Sequence, residues 1–315
     1  MDTQISLQKH ILTSPAPEGL AAAVGNTPLL QLHRVVEGIS PNVQVFAKAE
    51  WFNPSGSVKD RPALNIIRTA LADGSLTPGR HLLDSTSGNM GIAYATFGAA
   101  LGIPVTLAVP ANASPERIAI LRSLGAELEL TDPLEGSDGA IRVARKLAAE
   151  QPEVYFYANQ YDNPVNWQAH YFTTGPEIVQ QTDCRITHFV AGLGTSGTLT
   201  GVARYLFQYN THIKIIAVQP DASLHGLEGL KHMPTAIKPG IFDPALPHHT
   251  LGIETEAAYT MVRRLAREEG LFVGISSGAA AVAALHVASQ LEEGVIVTIF
   301  PDAGYKYLSD TELWK

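Results

Sequence analysis

A lysine that could react with a carbonyl group follows a tight turn early in the 315-residue chain. Lys59 lies in the segment Asn53–Arg61, which reads NPSGSVKDR, and it begins a helical pattern that runs through Ala70. An amine held in a dry pocket near a helix N-terminus has its charged form disfavoured, which is the condition for Schiff-base chemistry with an aldehyde cofactor. The alternative is a surface lysine paired with Asp60, the commoner situation for an arbitrary lysine.

A glycine-rich loop offers a binding site for an anion. The segment Gly192–Thr198 reads GLGTSGT and stands between an apolar strand and a helix. Backbone N–H groups in such a loop, together with the helix N-terminus, can hold a phosphate. The loop also matches the G-x-G-x-x-G pattern of dinucleotide-binding folds, with Asp221 about where an acid would bind the ribose. An NAD-dependent dehydrogenase and a plain strand-to-helix turn therefore stay open as alternatives.

Two more loops carry hydroxyl groups beside glycines. The segment Ser85–Gly91 (STSGNMG) follows a strand and precedes a helical run, so it could form a carboxylate-binding nest, the alternative being an ordinary Ser/Thr N-cap. The segment Gly274–Gly278 (GISSG) matches the nucleophile elbow of serine hydrolases. In that fold an acid and then a histidine follow the serine. Here the last histidine is His286 and Asp302 comes after it, so the elbow lacks its base.

Composition indicates a folded protein with a large core. The chain is 45% hydrophobic and 17% charged with a net charge of -8, which excludes disorder, collagen and coiled coil and argues against nucleic-acid or anionic-lipid binding. Cys184 is the only cysteine, so neither an intramolecular disulfide nor a zinc knuckle is expected, no metal site is predicted, and the predicted location is cytoplasmic. No signal peptide is predicted in Met1–Glu18, and Gly278–Ala288 is predicted as a buried helix.

Short apolar strands alternate with longer helical patterns, which predicts parallel βαβ units. Val105–Val109 is followed by a helix over Ser114–Leu124, which begins with an N-cap serine and a proline at the first helical position. The alternation predicts a doubly wound α/β architecture with two βα series joined near residue 155. We also expect a short strand over Leu271–Val273 and, over Pro234–Pro247, a surface excursion between a strand and a helix. Further strands are predicted over Glu127–Leu130, Thr187–Ala191, Lys214–Val218 and Gly294–Phe300.

In this order, the four motifs resemble those of the pyridoxal-phosphate (PLP) enzymes with the tryptophan-synthase-β type fold. Within that group the chain resembles the cysteine synthase family, most closely its B branch of O-acetylserine or O-phosphoserine sulfhydrylases. The resemblance extends from about Gly25 to Ser309 and is far more specific than one glycine loop. The matching stretches are Gly25–Leu29, Lys48–Arg61, Thr86–Gly91, Thr173–Glu177, Ile186–Gly201, Pro239–Phe242, Gly274–Ala279 and Tyr307–Ser309.

The resemblance implies an α/β enzyme of fold type II, with two domains built on twisted, mainly parallel sheets flanked by helices. A smaller mobile N-terminal domain is expected over residues 46–155, with part of residues 1–20. A larger cofactor-binding domain is expected over residues 21–45 and 156–315.

The resemblance also assigns roles to single residues. Lys59 would hold the cofactor PLP as a Schiff base and act as acid and base at the substrate Cα. Asn89 would bond the cofactor's 3′-oxygen, and Ser276 would face the pyridine nitrogen. Met90 stands where the family usually has threonine. Lys231 falls where the B branch commonly has arginine, so recognition of a phosphate or thiosulfate and a solvated surface position are both open. The cofactor phosphate would be held by Gly194, Thr195, Ser196, Gly197 and Thr198, and the substrate carboxylate by Thr86, Ser87, Met90 and Gln160.

The implied reaction is a PLP-dependent β-replacement. O-acetylserine or O-phosphoserine would lose its β-substituent to give an α-aminoacrylate, to which sulfide or thiosulfate adds to make L-cysteine. Synthesis of 2,3-diaminopropionate or cystathionine stays open, because the nucleophile site leaves little trace in the sequence. The resemblance further implies a homodimer acting on an amino-acid substrate and a sulfur donor, without nucleic-acid or membrane partners.

Overall fold

The structure, a computed structural model, describes residues 19–86 and 88–315. Its strands form two sheets, in which the order along the chain differs from the order in space. The strands are β1 (Leu29–Gln31), β2 (Val43–Ala49), β3 (His81–Ser85), β4 (Val105–Pro110), β5 (Glu127–Thr131), β6 (Tyr155–Tyr157), β7 (His188–Gly192), β8 (Lys214–Pro220), β9 (His249–Ile253) and β10 (Gly294–Phe300).

Helices follow most of the strands, as the sequence pattern predicts. The N-cap at Ser114 is confirmed, since its hydroxyl accepts the backbone N–H of Arg117, with Pro115 at the first helical position. The helices are α1 (Asp60–Ala72), α2 (Asn89–Leu101), α3 (Pro115–Ser123), α4 (Gly136–Glu150), α5 (Pro164–Phe172), α6 (Thr174–Gln181), α7 (Gly197–Tyr209), α8 (Thr255–Arg264) and α9 (Ile275–Ala288).

The larger sheet has six strands in the order β1-β2-β10-β7-β8-β9. β1 is antiparallel to β2, and the other pairs are parallel. Residues of α8 and α9 pack against one face of this sheet, while residues of α6 and α7 pack against the other. With both faces covered, the central strands are near-continuous apolar runs, as in β10, where Val295–Phe300 is buried.

The smaller sheet has four parallel strands in the order β5-β4-β3-β6. Consecutive strand residues point to opposite faces, so Leu82 packs with α1 and α2 whereas Leu83 packs with α4. The two sheets confirm the α/β class with mainly parallel sheets flanked by helices. The boundary expected at residue 46 falls inside β2, all of which pairs in the larger sheet, and the one at residue 155 falls at the first residue of β6. Mobility of the smaller unit stays a prediction, and residues 1–18 lie outside the described residues.

The predicted buried helix over Gly278–Ala288 is confirmed as most of α9. Small residues allow α8 to approach closely: a Cβ added at Gly278 would lie 2.3 Å from the carbonyl oxygen of Ala258. Within the described ranges, no helix combines the length and apolarity needed to cross a membrane.

One predicted strand is wrong. In Leu271–Val273 only Val273 forms a β-bridge, to Ala303, because the segment connects α9 to the preceding helix: Leu271 N–H still bonds to Leu265 O, 3.0 Å away. The edge strand is instead β9, which pairs with β8. The excursion over Pro234–Pro247 therefore joins two strands, and the expectation that it joins a strand to a helix is wrong.

Candidate active site

Lys59 is the N-cap residue of α1, at the end of the turn that begins at Asn53. The turn is tied to the exit of β10, because Val58 N–H donates to Pro301 O at 2.8 Å and Ser57 forms a β-bridge with Asp302. These contacts place the lysine beside the carboxyl end of a central parallel strand, the usual location of ligand sites in such sheets.

The lysine does not pair with its neighbour. The Asp60 carboxylate accepts the backbone N–H of Ser55 at 2.6 Å and the Ser55 hydroxyl, and burial raises the pKa of this carboxyl to about 6. Lys59 instead lines the main cleft. Burial lowers the pKa of its amine, and the charge of Asp302 opposes that shift only partly. The surface-pair alternative is therefore wrong, and a neutral, reactive amine is favoured.

A buried ion network anchors the turn before Lys59. The guanidinium of Arg61, the second residue of α1, bonds the Glu50 carboxylate through Nε at 2.7 Å and Nη2 at 2.8 Å. It also bonds Glu177 through Nη1 at 2.6 Å, and the buried Lys48 amine lies 2.7 Å from the same carboxylate. Asn53 donates to Glu50 at 2.9 Å. Two cations and two carboxylates thus balance one another beneath the turn.

The glycine-rich loop joins β7 to α7 with a left-handed residue. Ser196 has φ +67°, a conformation that costs free energy for a residue other than glycine, and its buried Oγ has no hydrogen-bond partner in the described part of the chain. Gly194 and Gly197 pack tightly, since added Cβ atoms would lie 2.4 Å from Gly229 O and 2.0 Å from Asn166 Oδ1. The loop is a preformed cradle at the N-terminus of a 13-residue helix, which suits an anion.

The segment Ser85–Gly91, called the hydroxyl loop below, leads into α2 and also lines the cleft. Thr86 Oγ1 accepts the N–H groups of Gly88 at 3.0 Å and Gly91 at 3.1 Å, so this hydroxyl shapes the loop. Gln160 donates through Nε2 to Ser85 O at 2.6 Å, which brings its amide to the loop. Met90 is buried among the apolar residues of the smaller unit. Ser87 lies outside the described residues.

Asn89 and Ser276 come from distant parts of the chain. Asn89 begins α2, and its Nδ2 donates to Asp302 at 2.7 Å while its Oδ1 accepts from Lys306 at 2.8 Å. Ser276 lies in the first turn of α9 and also lines the cleft. The sequence analysis missed the roles of Asp302 and Lys306, although Asp302 follows a strand that ends at the site, which is where such residues are expected.

Two ion pairs involve residues that line the cleft. Lys231 is only 7% exposed, so the solvated-surface alternative is wrong. Its amine lies 2.8 Å from the Asp138 carboxylate of α4. Arg117 of α3, which the sequence analysis did not single out, pairs with Glu228. Both pairs connect the smaller unit to the segment after β8.

The cleft brings together residues separated by more than 200 positions in the sequence. Among its described lining residues there is no histidine, so Ser276 lacks the histidine base that the nucleophile elbow of serine hydrolases requires. Asp221 is exposed and outside the cleft, which removes the support for a ribose-binding acid. The predicted site residues that line the cleft are Lys59, Thr86, Asn89, Met90, Gln160, Gly194, Thr195, Thr198, Lys231 and Ser276.

Comparisons with known proteins agree with this geometry. Residues 20–302 match the family model described as pyridoxal-phosphate dependent enzyme. The chain is 53% identical to a cysteine synthase of Aquifex aeolicus, covering 93% of this chain and 91% of that protein. It is 42% identical to cysteine synthase B of Escherichia coli, covering 92% and 94%. The crystal structure of an Entamoeba histolytica cysteine synthase matches with a TM-score of 0.89 at 39% identity, covering 96% and 93%. The chain therefore belongs to the family of pyridoxal-phosphate-dependent enzymes, within which it groups with the cysteine synthases.

Proposed function

We propose that this chain makes L-cysteine by β-replacement on O-acetylserine, with Lys59 as the residue that binds PLP and moves the Cα proton. One observation carries the proposal: a buried amine, an anion cradle and the Ser276 hydroxyl line the same cleft. The NAD-dependent dehydrogenase alternative leaves Lys59, Asn89 and Ser276 without a role.

The residues present fit PLP. The cofactor's phosphate suits the loop before α7, where the buried Ser196 hydroxyl has no partner in the described chain and the first N–H groups of the helix face the cradle. Lys59 would hold the aldehyde carbon. Asn89 would bond the 3′-oxygen, and Ser276 would lie at the ring nitrogen.

When bound, PLP supplies an electron sink for charge that develops at the substrate Cα. Ser276 presents a hydroxyl rather than a carboxylate at the proposed ring-nitrogen position, and a hydroxyl does not keep that nitrogen protonated. Ser276 at that position would therefore favour loss of a β-substituent over reactions that need a long-lived carbanion. Burial lowers the pKa of Lys59 and so favours its neutral form, the form that would remove the Cα proton and later return it.

The hydroxyl loop would bind the substrate carboxylate. N–H groups at the N-terminus of α2 and the Gln160 amide supply donors, while the Met90 side chain is packed in the core and leaves only its backbone for this role. The ion pairs Arg117–Glu228 and Lys231–Asp138 would hold the cleft closed and exclude water during the reaction.

A first prediction concerns the affinity of the glycine-rich loop Gly192–Thr198 for PLP. Gly194→Ala places a methyl group 2.4 Å from a backbone carbonyl oxygen, that of Gly229, so the loop must shift. We expect the Kd for PLP to rise at least about tenfold. In the matched control Gly192→Ala, the methyl group meets Leu230 Cδ2, the end of a side chain that can rotate, and the Kd should change much less. Absorbance titration of the apoprotein measures both values, and equal affinities would argue against this cradle.

A second prediction concerns the donor substrate. Lys231 and Arg117, two cations that line the cleft, already pair with Asp138 and Glu228, so the phosphate of O-phosphoserine gains little there. We expect kcat/KM for O-acetylserine to exceed that for O-phosphoserine by at least about tenfold, the worth of one charged contact. Asp138→Asn should free Lys231 to bind the phosphate, so the kcat/KM values for the two donor substrates should come closer together. A wild-type preference for O-phosphoserine would reject the acetylated donor while leaving cysteine formation standing.

Three finer points rest on the family resemblance. A homodimer, a cytoplasmic location and a mobile smaller domain over residues 46–155 are part of this proposal. Sulfide and thiosulfate are the sulfur donors to compare first, with 2,3-diaminopropionate and cystathionine as the products of rival nucleophiles.

A further inference from the structure

We propose that Asp302 and Lys306 form a charged clamp that orients the Asn89 amide and supplies the negative charge beside Lys59. The inference rests on the proposed function, since it assigns positioning residues to the same site.

Asp302 occupies a junction between three parts of the site. It follows β10 by two residues, is fully buried, and its backbone pairs with Ser57 in the turn before the lysine. Its carbonyl oxygen accepts the N–H of Gly274 at 3.0 Å, just before α9. A movement of Asp302 would therefore disturb both the Lys59 turn and the helix that carries Ser276.

The clamp forms hydrogen bonds with both the nitrogen and the oxygen of the Asn89 side-chain amide. Nδ2 donates to Asp302 Oδ2 at 2.7 Å, and Oδ1 accepts from the Lys306 ammonium at 2.8 Å. A flipped amide would set its NH2 group against the ammonium and its oxygen against the carboxylate, both unfavourable. The orientation is thus determined by charge. One N–H of Nδ2 is used, and the second is left to donate to a cofactor oxygen.

Lys306 has its donors fully used. It is 5% exposed, and besides Asn89 it donates to Ser55 O and Gly56 O, each at 3.2 Å. An ammonium has three donors, so this amine is committed to holding the turn and the amide. It is not placed to replace Lys59 as a base.

The remaining oxygen of Asp302 acts through its charge. Tyr307 donates to Oδ2 at 2.8 Å, whereas the buried Oδ1 has no hydrogen-bond partner within the described residues. The charged groups that face this carboxylate are Lys59, Lys306 and Arg117, and α9 contributes no titratable group there. Burial lowers the pKa of Lys59 and Asp302 raises it, so the carboxylate limits how far the amine's affinity for a proton falls.

The test uses the PLP-loaded enzyme and two variants, one that removes a negative charge from the clamp and one that removes a positive charge. We measure the visible absorption as a function of pH and the rate of cofactor release. Asp302→Asn removes a negative charge, so the midpoint of the spectral titration should move down by about one pH unit. Lys306→Met removes a positive charge and should move it up. Because each variant loses a charged bond to Asn89, both should release cofactor about tenfold faster.

Two control variants separate charge from shape. Lys306→Arg keeps the charge and should keep the wild-type midpoint. Asp132→Asn makes the same chemical change at an exposed turn, where Asp132 accepts the N–H of Leu134, and should change neither readout. If Asp302→Asn does not fold, the comparison of Lys306→Met with Lys306→Arg still decides the question.

The outcomes are distinguishable. Opposite midpoint shifts support the clamp. If the wild type binds PLP and is yellow, but the variants keep its spectral midpoint and its rate of cofactor release, the clamp is overturned and the proposed function stands. A wild type that binds no PLP would overturn the proposed function and the clamp with it.

Discussion

Replacing Lys59 by alanine is expected to lower the kcat for cysteine formation by at least about 10³-fold. The amine lines the cleft, and burial lowers its pKa, which favours the neutral form that accepts a proton from the substrate. Alanine leaves no group to do so, because the nearby Lys306 amine is held by three acceptors. Steady-state assays of cysteine formation measure this loss.

A spectrum provides the second readout for Lys59. Borohydride should abolish the visible band of the wild type and leave the cofactor attached to the chain, whereas Lys59→Ala should show no such attachment. The exposed Lys146→Ala on α4 is the matched control and should behave as the wild type. A Lys59→Ala enzyme that retained activity within tenfold would rule out this lysine as the proton carrier.

Replacing Glu50 by glutamine is expected to lower the free energy of unfolding by about 3–5 kcal/mol, since the buried cations Arg61 and Lys48 are then left with the single carboxylate of Glu177. Glu50 is fully buried and accepts two bonds from Arg61. Burial raises the pKa of Glu50, but the charge and hydrogen bonds of Arg61 outweigh burial and hold this pKa below 4.5. Urea unfolding of the purified enzyme at pH 7 measures the loss.

The same pair predicts a pH dependence. Because the folded-state pKa of Glu50 lies below its ordinary value of 4.5, the stabilisation is complete above pH 4.5 and is lost as the pH falls through the folded-state value. The gap between wild type and Glu50→Gln should therefore close in acid. Glu268→Gln, which breaks the partly exposed pair with Arg264, should lower the free energy of unfolding far less. Equal losses in the two variants would mean that the buried network does not stabilise the turn.

Helices and strands could be predicted from the sequence where the signal for them lies in a few consecutive residues. The serine and proline that start α3 act within one helical turn, and the apolar runs of β7, β8 and β10 are long enough to require burial. The prediction failed at Leu271–Val273, where three apolar residues satisfy a strand pattern but connect two helices. β9 was missed because only its last residue, Ile253, is buried.

The residues of the candidate site likewise fall into two groups, those that a local motif predicts and those that only distant contacts reveal. Motif spacing indicated Lys59, the glycine cradle and the hydroxyl loop, because each depends on the backbone of a few consecutive residues. Asp302 and Lys306 carry no motif of their own. They matter through contacts to Asn89, more than 200 residues away in the sequence.

By itself the sequence determined the alternation of strands and helices, the turn residues and the types of chemical group available. The tertiary structure alone decided which charges meet. It buries Lys231 against Asp138, withdraws Asp221 from the cleft, and sets a carboxylate beside Lys59. The physical reason is that turn and helix signals act over a few bonds, whereas burial and charge depend on neighbours that only the packing of the two sheets supplies.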